Sequence, residues 1–212
     1  MPKQNRTVAA SQPRNREATR QRLIDAVGQL LAENGFTALG VNAVARQAGV
    51  DKVLIYRYFG GMPGLIKAFG QEGDFWPSIQ ELAGGDIEAY RLLPLEDKLI
   101  ALGQNFLRGL RIRPLTQEVM AWEMVQRNEL TEELEIIRET RMLRFSDLFI
   151  ATEGARVDLM AIISIIGAGL SYLVCRARRV RWYNGVDLDG DEGWNRIETA
   201  IEQMVKGILT LA

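Results

Sequence analysis

Val41-Asn-Ala-Val-Ala-Arg-Gln-Ala-Gly-Val-Asp-Lys-Val-Leu-Ile-Tyr-Arg-Tyr-Phe59 is the stretch that decides the fold of this chain. It holds two short apolar-periodic segments split by one glycine. In the first, Val41, Val44, Ala45 and Ala48 share one face of a helix. The small Ala45 lets a second helix approach closely, and Gly49 supplies a turn that a Cβ would strain. Asp51 stands where its carboxylate can accept a free backbone N–H at the start of a helix over about 52–59. Val50, Ile55 and Phe59 form the inner face of that helix. The i, i+4 pairs Lys52/Tyr56 and Val53/Arg57 form its outer face. This is the layout of a helix-turn-helix, whose second helix enters the major groove while its neighbour spans the backbone.

The residue types assign the roles. Lys52 and Arg57 suit phosphates or guanine edges, Tyr56 and Tyr58 suit phosphate oxygens or sugars, and Val53 and Leu54 can pack on thymine methyls. Asn42 and Arg46 on the first helix complete the candidate DNA-binding set. The competing reading of each is a solvated surface charge or a core aromatic, and Tyr58 beside Phe59 is the residue for which it weighs most.

The charge distribution agrees with a nucleic-acid partner. The chain of 212 residues has 26 basic and 27 acidic side chains, a formal charge of −1. Residues 1–60 hold nine basic groups against four acidic ones, a net +5, so the remainder carries −6. A basic head on an acidic body is the asymmetry expected of a DNA binder. With 47% hydrophobic and 25% charged residues, the composition is that of a soluble globular protein. The absence of histidine removes imidazole-based triads and most zinc sites. The single cysteine, Cys175, excludes an internal disulfide and fits a reducing, cytoplasmic setting.

Outward from the motif the chain reads as helix after helix. Leu23, Ala26, Val27, Leu30 and Leu31 form one apolar stripe on a helix over about 17–33, which Asn34-Gly35 ends. Further apolar-periodic stretches cover roughly 63–73, 95–112, 115–127, 131–150, 156–182 and 194–211. No alternating pattern bounded by hairpin turns stands out, so the fold class is all-α. The first residues are polar, with no apolar signal segment. The expected organisation is a disordered basic arm over 1–16, a helix-turn-helix domain over 17–62, and an effector-binding and dimerisation domain over 63–212.

The run Thr19–Leu31, Gly35-Phe36, Val44-Ala45, Ala48-Gly49-Val50, Ile55-Tyr56-Arg57-Tyr58-Phe59 and Leu65 resembles the N-terminal domain of the TetR (tetracycline-repressor-like) transcriptional regulators. The resemblance covers about residues 17–69 and implies a homodimeric, ligand-responsive repressor. Two three-helix heads would bind a pseudo-palindromic double-stranded DNA operator, and a small-molecule effector would occupy the helical body. The helices at about 156–182 and 194–211 would form the dimer interface. Three positions depart from the family pattern. Gly40 replaces a hydroxyl N-cap, and Val53-Leu54 make an unusually apolar tip. Gly61-Met62-Pro63-Gly64 stands where a phosphate-contacting lysine commonly opens the fourth helix, so that contact is not carried over.

In the body, the residues suited to an apolar pocket are Phe106, Met120, Trp122, Met124, Met142, Phe145, Phe149, Tyr172 and Cys175, each also a plausible core residue. They point to a largely apolar or aromatic effector. The uncharged run 159–175 is at the low edge of a membrane span in length. Its two glycines, its two serines and the adjoining Asp158 favour a helix buried between its own domain and a partner subunit, with no membrane contact. Asp187, Asp189, Asp191 and Glu198 occupy positions 1, 3, 5 and 12 of a calcium-loop pattern, but Glu192 stands where that loop needs glycine. The stretch reads instead as an acidic connector, and neither a metal nor a cofactor is expected. No dinucleotide loop, P-loop or nucleophile elbow is present, so no enzyme is expected. The alternatives are an all-α enzyme or carrier that keeps a helix-turn-helix-like head, and a membrane-associated protein.

Overall fold

The stripe Leu23, Ala26, Val27, Leu30 and Leu31 is buried, on a helix that starts earlier than its apolar pattern does. This helix, α1, spans Gln12–Asn34 and takes in the last residues of the expected arm. The computed structural model describes residues 12–72, 74–125, 128–150 and 156–210. Residues 1–11, most of that arm, lie outside them. The chain divides into two units, residues 1–73 and 74–212.

In the first unit, α1 is followed by a 3₁₀ turn (Phe36–Ala38), α2 (Val41–Ala48), α3 (Val53–Phe59) and α4 (Met62–Glu72). α1 packs on α2 and α4, and α3 packs on α4. Leu23, Val27, Val44, Ile55, Leu65 and Ile66 have no exposed surface. Each such side chain adds about 1.5–3 kcal/mol of burial, an upper bound because the unfolded chain is partly collapsed. The expected boundary after residue 62 falls one helix early, because α4 turns Leu65, Ile66, Ala68 and Phe69 inward and packs within the head. A bidentate ion pair from Arg20 to Glu72 ties α1 to the end of α4, and Arg20 also lies 5.3 Å from the centre of the Phe59 ring. The hydrogen bond from Arg20 holds Glu72 below the usual carboxylate range. The chain passes from α3 to α4 so closely that a Cβ on Gly64 would lie 1.8 Å from the Phe59 carbonyl oxygen.

The second unit contains α5 (Ile79–Leu82), α6 (Ile87–Arg91), α7 (Leu95–Arg111), α8 (Pro114–Glu123), α9 (Glu129–Phe149), α10 (Leu159–Ala177) and α11 (Asp191–Thr210). α7 is central, in contact with α5, α8, α10 and α11. Arg113, 4% exposed, holds the entry segment by donating to Asp74, Glu81 and the Gly109 carbonyl. Burial pushes Glu81 up, but hydrogen bonds from Arg113 and Ser78 outweigh it and hold the group low.

The helix expected over 156–182 stops at Ala177. The chain then forms an antiparallel hairpin, β1 (Trp182–Tyr183) and β2 (Val186–Asp187), with Trp182 opposite Asp187 and Tyr183 opposite Val186. It is the only sheet among the described residues. Asn184 and Gly185 have φ of 48° and 76°, the paired left-handed conformation of a two-residue type I′ turn. The Asn-Gly dipeptide was the sequence signal for it. α11 opens just beyond, and its Trp194 indole donates to the Leu188 carbonyl at 2.8 Å.

Candidate nucleic-acid interface and ligand cavity

The turn between α2 and α3 is a Schellman motif. Gly49 has φ 64°, its N–H bonds the Arg46 carbonyl at 3.2 Å, and the Val50 N–H bonds that of Ala45 at 3.0 Å. The Asp51 carboxylate accepts the Val53 N–H at 2.8 Å and caps α3. Ile55, with no exposed surface, fixes the inner side of α3. The outer side presents Val53, 61% exposed, and Tyr56, 56% exposed, with Lys52 and Arg57 exposed beside them.

Asn42 and Arg46 are exposed on α2, while Leu54 and Tyr58 are half-buried. Arg46, Lys52 and Arg57 are exposed and have no ion-pair partner among the described residues, which leaves three free cations on α2 and at α3. Tyr58 lies edge-on to Phe59, with ring centres 6.4 Å apart, and the Arg16 guanidinium sits 5.4 Å from its ring centre. Sequence reasoning placed Arg16 in the arm. The start of α1 instead sets it beside α3, where it adds a fourth cation.

In the body, α7, α9 and α10 enclose a cavity of about 430 Å³ lined by Leu99, Leu102, Phe106, Met142, Leu143, Ile162, Ile163 and Ile166. A second cavity of about 440 Å³ is lined by Met120, Glu123, Met124 and Thr131. Trp76, Glu135, Arg138 and Ser171 line both. Arg138 donates a hydrogen bond to Glu123 and stacks over Trp76, 5.5 Å from the ring centre. Burial raises the Glu123 pKa despite that arginine, and the charge on Glu135 raises it further.

Four of the nine predicted pocket residues line these cavities: Phe106 and Met142 the first, Met120 and Met124 the second. Trp122, Phe145, Phe149, Tyr172 and Cys175 line neither. Phe145 and Phe149 form an aromatic cluster with Tyr90, at 5.5 and 5.2 Å, and spend their surface on core packing. The Trp122 indole donates to Glu118 at 2.9 Å. Cys175 is buried with Sγ 3.6 Å from the Gln117 carbonyl oxygen, and burial pushes its thiol pKa up. Tyr172 is 40% exposed and stacks edge-on with Tyr183 of the hairpin. The residues sequence reasoning missed, Trp76, Glu123, Arg138 and the apolar positions of α10, carried no local signal that sets them apart from core or surface.

Residues 23–69 match the family described as bacterial regulatory proteins, tetR family. The head thus matches the DNA-binding domain of the TetR family. Solved structures share its fold along nearly the whole length. The fatty acid degradation regulator FadR from Bacillus halodurans is 20% identical, covering 88% of this chain and 94% of its own, with a TM-score of 0.61. FadR from Bacillus subtilis, solved in complex with stearoyl-CoA, is 21% identical over 87% of this chain and 96% of its own, with a TM-score of 0.59. GusR of Salmonella enterica is 19% identical over 97% of this chain and 100% of its own, with a TM-score of 0.60. At these identities the likeness establishes a common fold. No curated protein matches the sequence.

Two further features of the body bear on assembly. α10 is long and apolar enough to cross a membrane by length and composition, with mean hydropathy 1.9, yet only 22% of its apolar window is buried within the chain. Its outer face carries Ile165, 73% exposed, and α11 carries Met204, 48% exposed. The acidic connector does not form a loop of twelve residues, because α11 already begins at Asp191. Asp187 pairs with Arg181 and Glu198 with Arg108, at 2.9 and 2.6 Å. Among the described residues no cluster of three acidic or cysteine side chains is placed to hold a metal.

Proposed function

We propose that this regulator is a cytoplasmic repressor that binds a pseudo-palindromic operator as a homodimer and is released by a small, largely apolar effector. The observation that carries the reading is the outer face of α3. Its exposed Val53, Tyr56 and Arg57 stand opposite the fully buried Ile55, beside the unpaired cations Lys52 and Arg46. Burying an apolar anchor to display a basic, aromatic edge is how a recognition helix is held for a groove.

The partner subunit is read from α10 and α11. Their exposed Ile165, Tyr172 and Met204 make an apolar surface too large to leave in water, and a second copy of the two helices covers it in a four-helix arrangement. The cavity beneath α10 is the effector site, and its apolar lining sets the class of ligand. A ligand that favours a different spacing of the two heads lowers operator affinity through its differential binding.

A gel shift on DNA from upstream of the gene tests the reading. The protein retards that duplex, Tyr56→Ala and Arg57→Ala abolish the shift while keeping the wild-type circular dichroism, and unaltered binding by both variants overturns the interface.

A further inference from the structure

The cavity that α7, α9 and α10 enclose is polarised along its length. The α9 residues that line it are Glu135, Arg138, Glu139, Met142 and Leu143. Their spacing of i, i+3, i+4, i+7 and i+8 makes them one face of the helix, and a face turned inward in a bundle is ordinarily apolar. Here three charged groups stand at one end of the face and two apolar ones at the other. α10 runs back along it, since the Ser146 hydroxyl of α9 donates to the Met160 sulfur at 3.0 Å. Met160 and Ile163 therefore meet the apolar end. Ser171 meets the charged end, where it lines the second cavity together with Glu135 and Arg138. Glu135, Glu139, Leu143 and Met160 are exposed, so the first cavity opens to solvent between the two helices.

We propose that the effector is an amphiphilic cation, an ammonium head on an apolar chain, with the head at the Glu135, Glu139 and Ser171 end. This rests on the reading of the cavity as the effector site and adds the sign of the ligand's charge. The cavity makes the site, and its charged end sets the sign. The lining holds two carboxylates, Glu135 and Glu139, against one guanidinium, Arg138. That guanidinium is already engaged, bonding the Glu123 carboxylate and stacking over Trp76 at 5.5 Å from the ring centre. Glu139 has no hydrogen bond or ion pair among the described residues. Like charges four residues apart on a helix repel, and an ammonium beside Glu135 and Glu139 turns that repulsion into attraction. Its three N–H groups suit two carboxylates and a hydroxyl. The chain then lies among Leu102, Phe106, Met142 and Ile166. A carboxylate head would face both acids and compete with Glu123 for one arginine, and an uncharged head leaves the repulsion in place.

Calorimetric titration of the full chain with decylammonium, decanol and decanoate, each below its micellar concentration, tests the sign. A solvent-screened carboxylate is worth up to about fivefold in affinity, so decylammonium binds at least about fivefold tighter than decanol. Decanoate binds weakest. Glu139→Gln reduces the preference for the cation, and Glu135→Gln with Glu139→Gln removes it. Both positions are exposed, and unchanged decanol affinity in the variants shows the cavity intact. Decanoate as the tightest probe, decylammonium no tighter than decanol, or a preference that survives the double variant overturns the cation. The cavity reading survives those results when Met142→Trp weakens every probe. Indifference of all three probes to Met142→Trp, or no binding by any, overturns both.

Discussion

Removing the Arg57 guanidinium separates DNA binding from folding. Arg57 is exposed on α3, has no ion-pair partner among the described residues and is not part of the buried core. Arg57→Ala therefore changes unfolding free energy by no more than about 0.5 kcal/mol, as surface exchanges do. On the operator the proposed homodimer loses two cations, one per head. Each phosphate contact contributes about 0.9 to the slope of log K against log salt, so the slope becomes shallower by about 1.8. Between roughly 50 and 200 mM salt, that difference shrinks the deficit of the variant by about tenfold. Fluorescence anisotropy on the upstream duplex at several salt concentrations measures the slope, and urea unfolding of the free protein checks the fold. A salt-independent deficit with relaxed sequence preference would assign Arg57 to a guanine edge instead of a phosphate. Unchanged affinity and unchanged slope would refute the assignment of α3 to the groove.

Gly64→Ala sets a Cβ 1.8 Å from the Phe59 carbonyl oxygen, whereas a Cβ on Gly40 meets nothing within 4 Å. Urea unfolding is expected to show a loss of about 1–3 kcal/mol for Gly64→Ala and a change of only a few tenths for Gly40→Ser. Glu72 is held low by the hydrogen bond from Arg20, so its share of stability is present above the ordinary glutamate range and is lost as pH falls through its depressed value. Thermal melts from pH 7 to pH 3 should lose part of their acid slope in Glu72→Gln, and an identical slope would show the pair to be inert. Ile165→Glu places a charge on the 73%-exposed outer face of α10, and sedimentation should then report a monomer with unchanged helicity. A dimer that persists would move the subunit contact elsewhere.

The head was legible because each of its features is local. An apolar stripe marks α1, a glycine in the left-handed region closes α2, and a carboxylate two residues before α3 caps it. The body was legible as helices but not as a site. Phe145 and Phe149 have the composition of pocket residues, yet they pack on Tyr90, whose hydroxyl donates to the Lys98 carbonyl at 2.7 Å. Which aromatic lines a cavity and which fills a core depends on helices far apart in sequence, and periodicity carries no record of that. The end of α10 was missed for another reason. Arg176, Arg178, Arg179 and Arg181 are good helix formers, so propensity runs on through Ala177 while the Asn184-Gly185 turn reverses the chain. α5 and α6 are too short to show a period at all.

α10 is a single helix standing between the cavity and the outer surface. Ile162, Ile166 and Ser171 line the cavity, while Ile165 and Tyr172 lie on the exposed side. A wall one helix thick, about 10 Å, is tightly packed and hands displacement on with little absorbed. For the effector proposed above, such a partition acts as a gauge of girth, so that guests of equal bulk and unlike chemistry load the outer face alike.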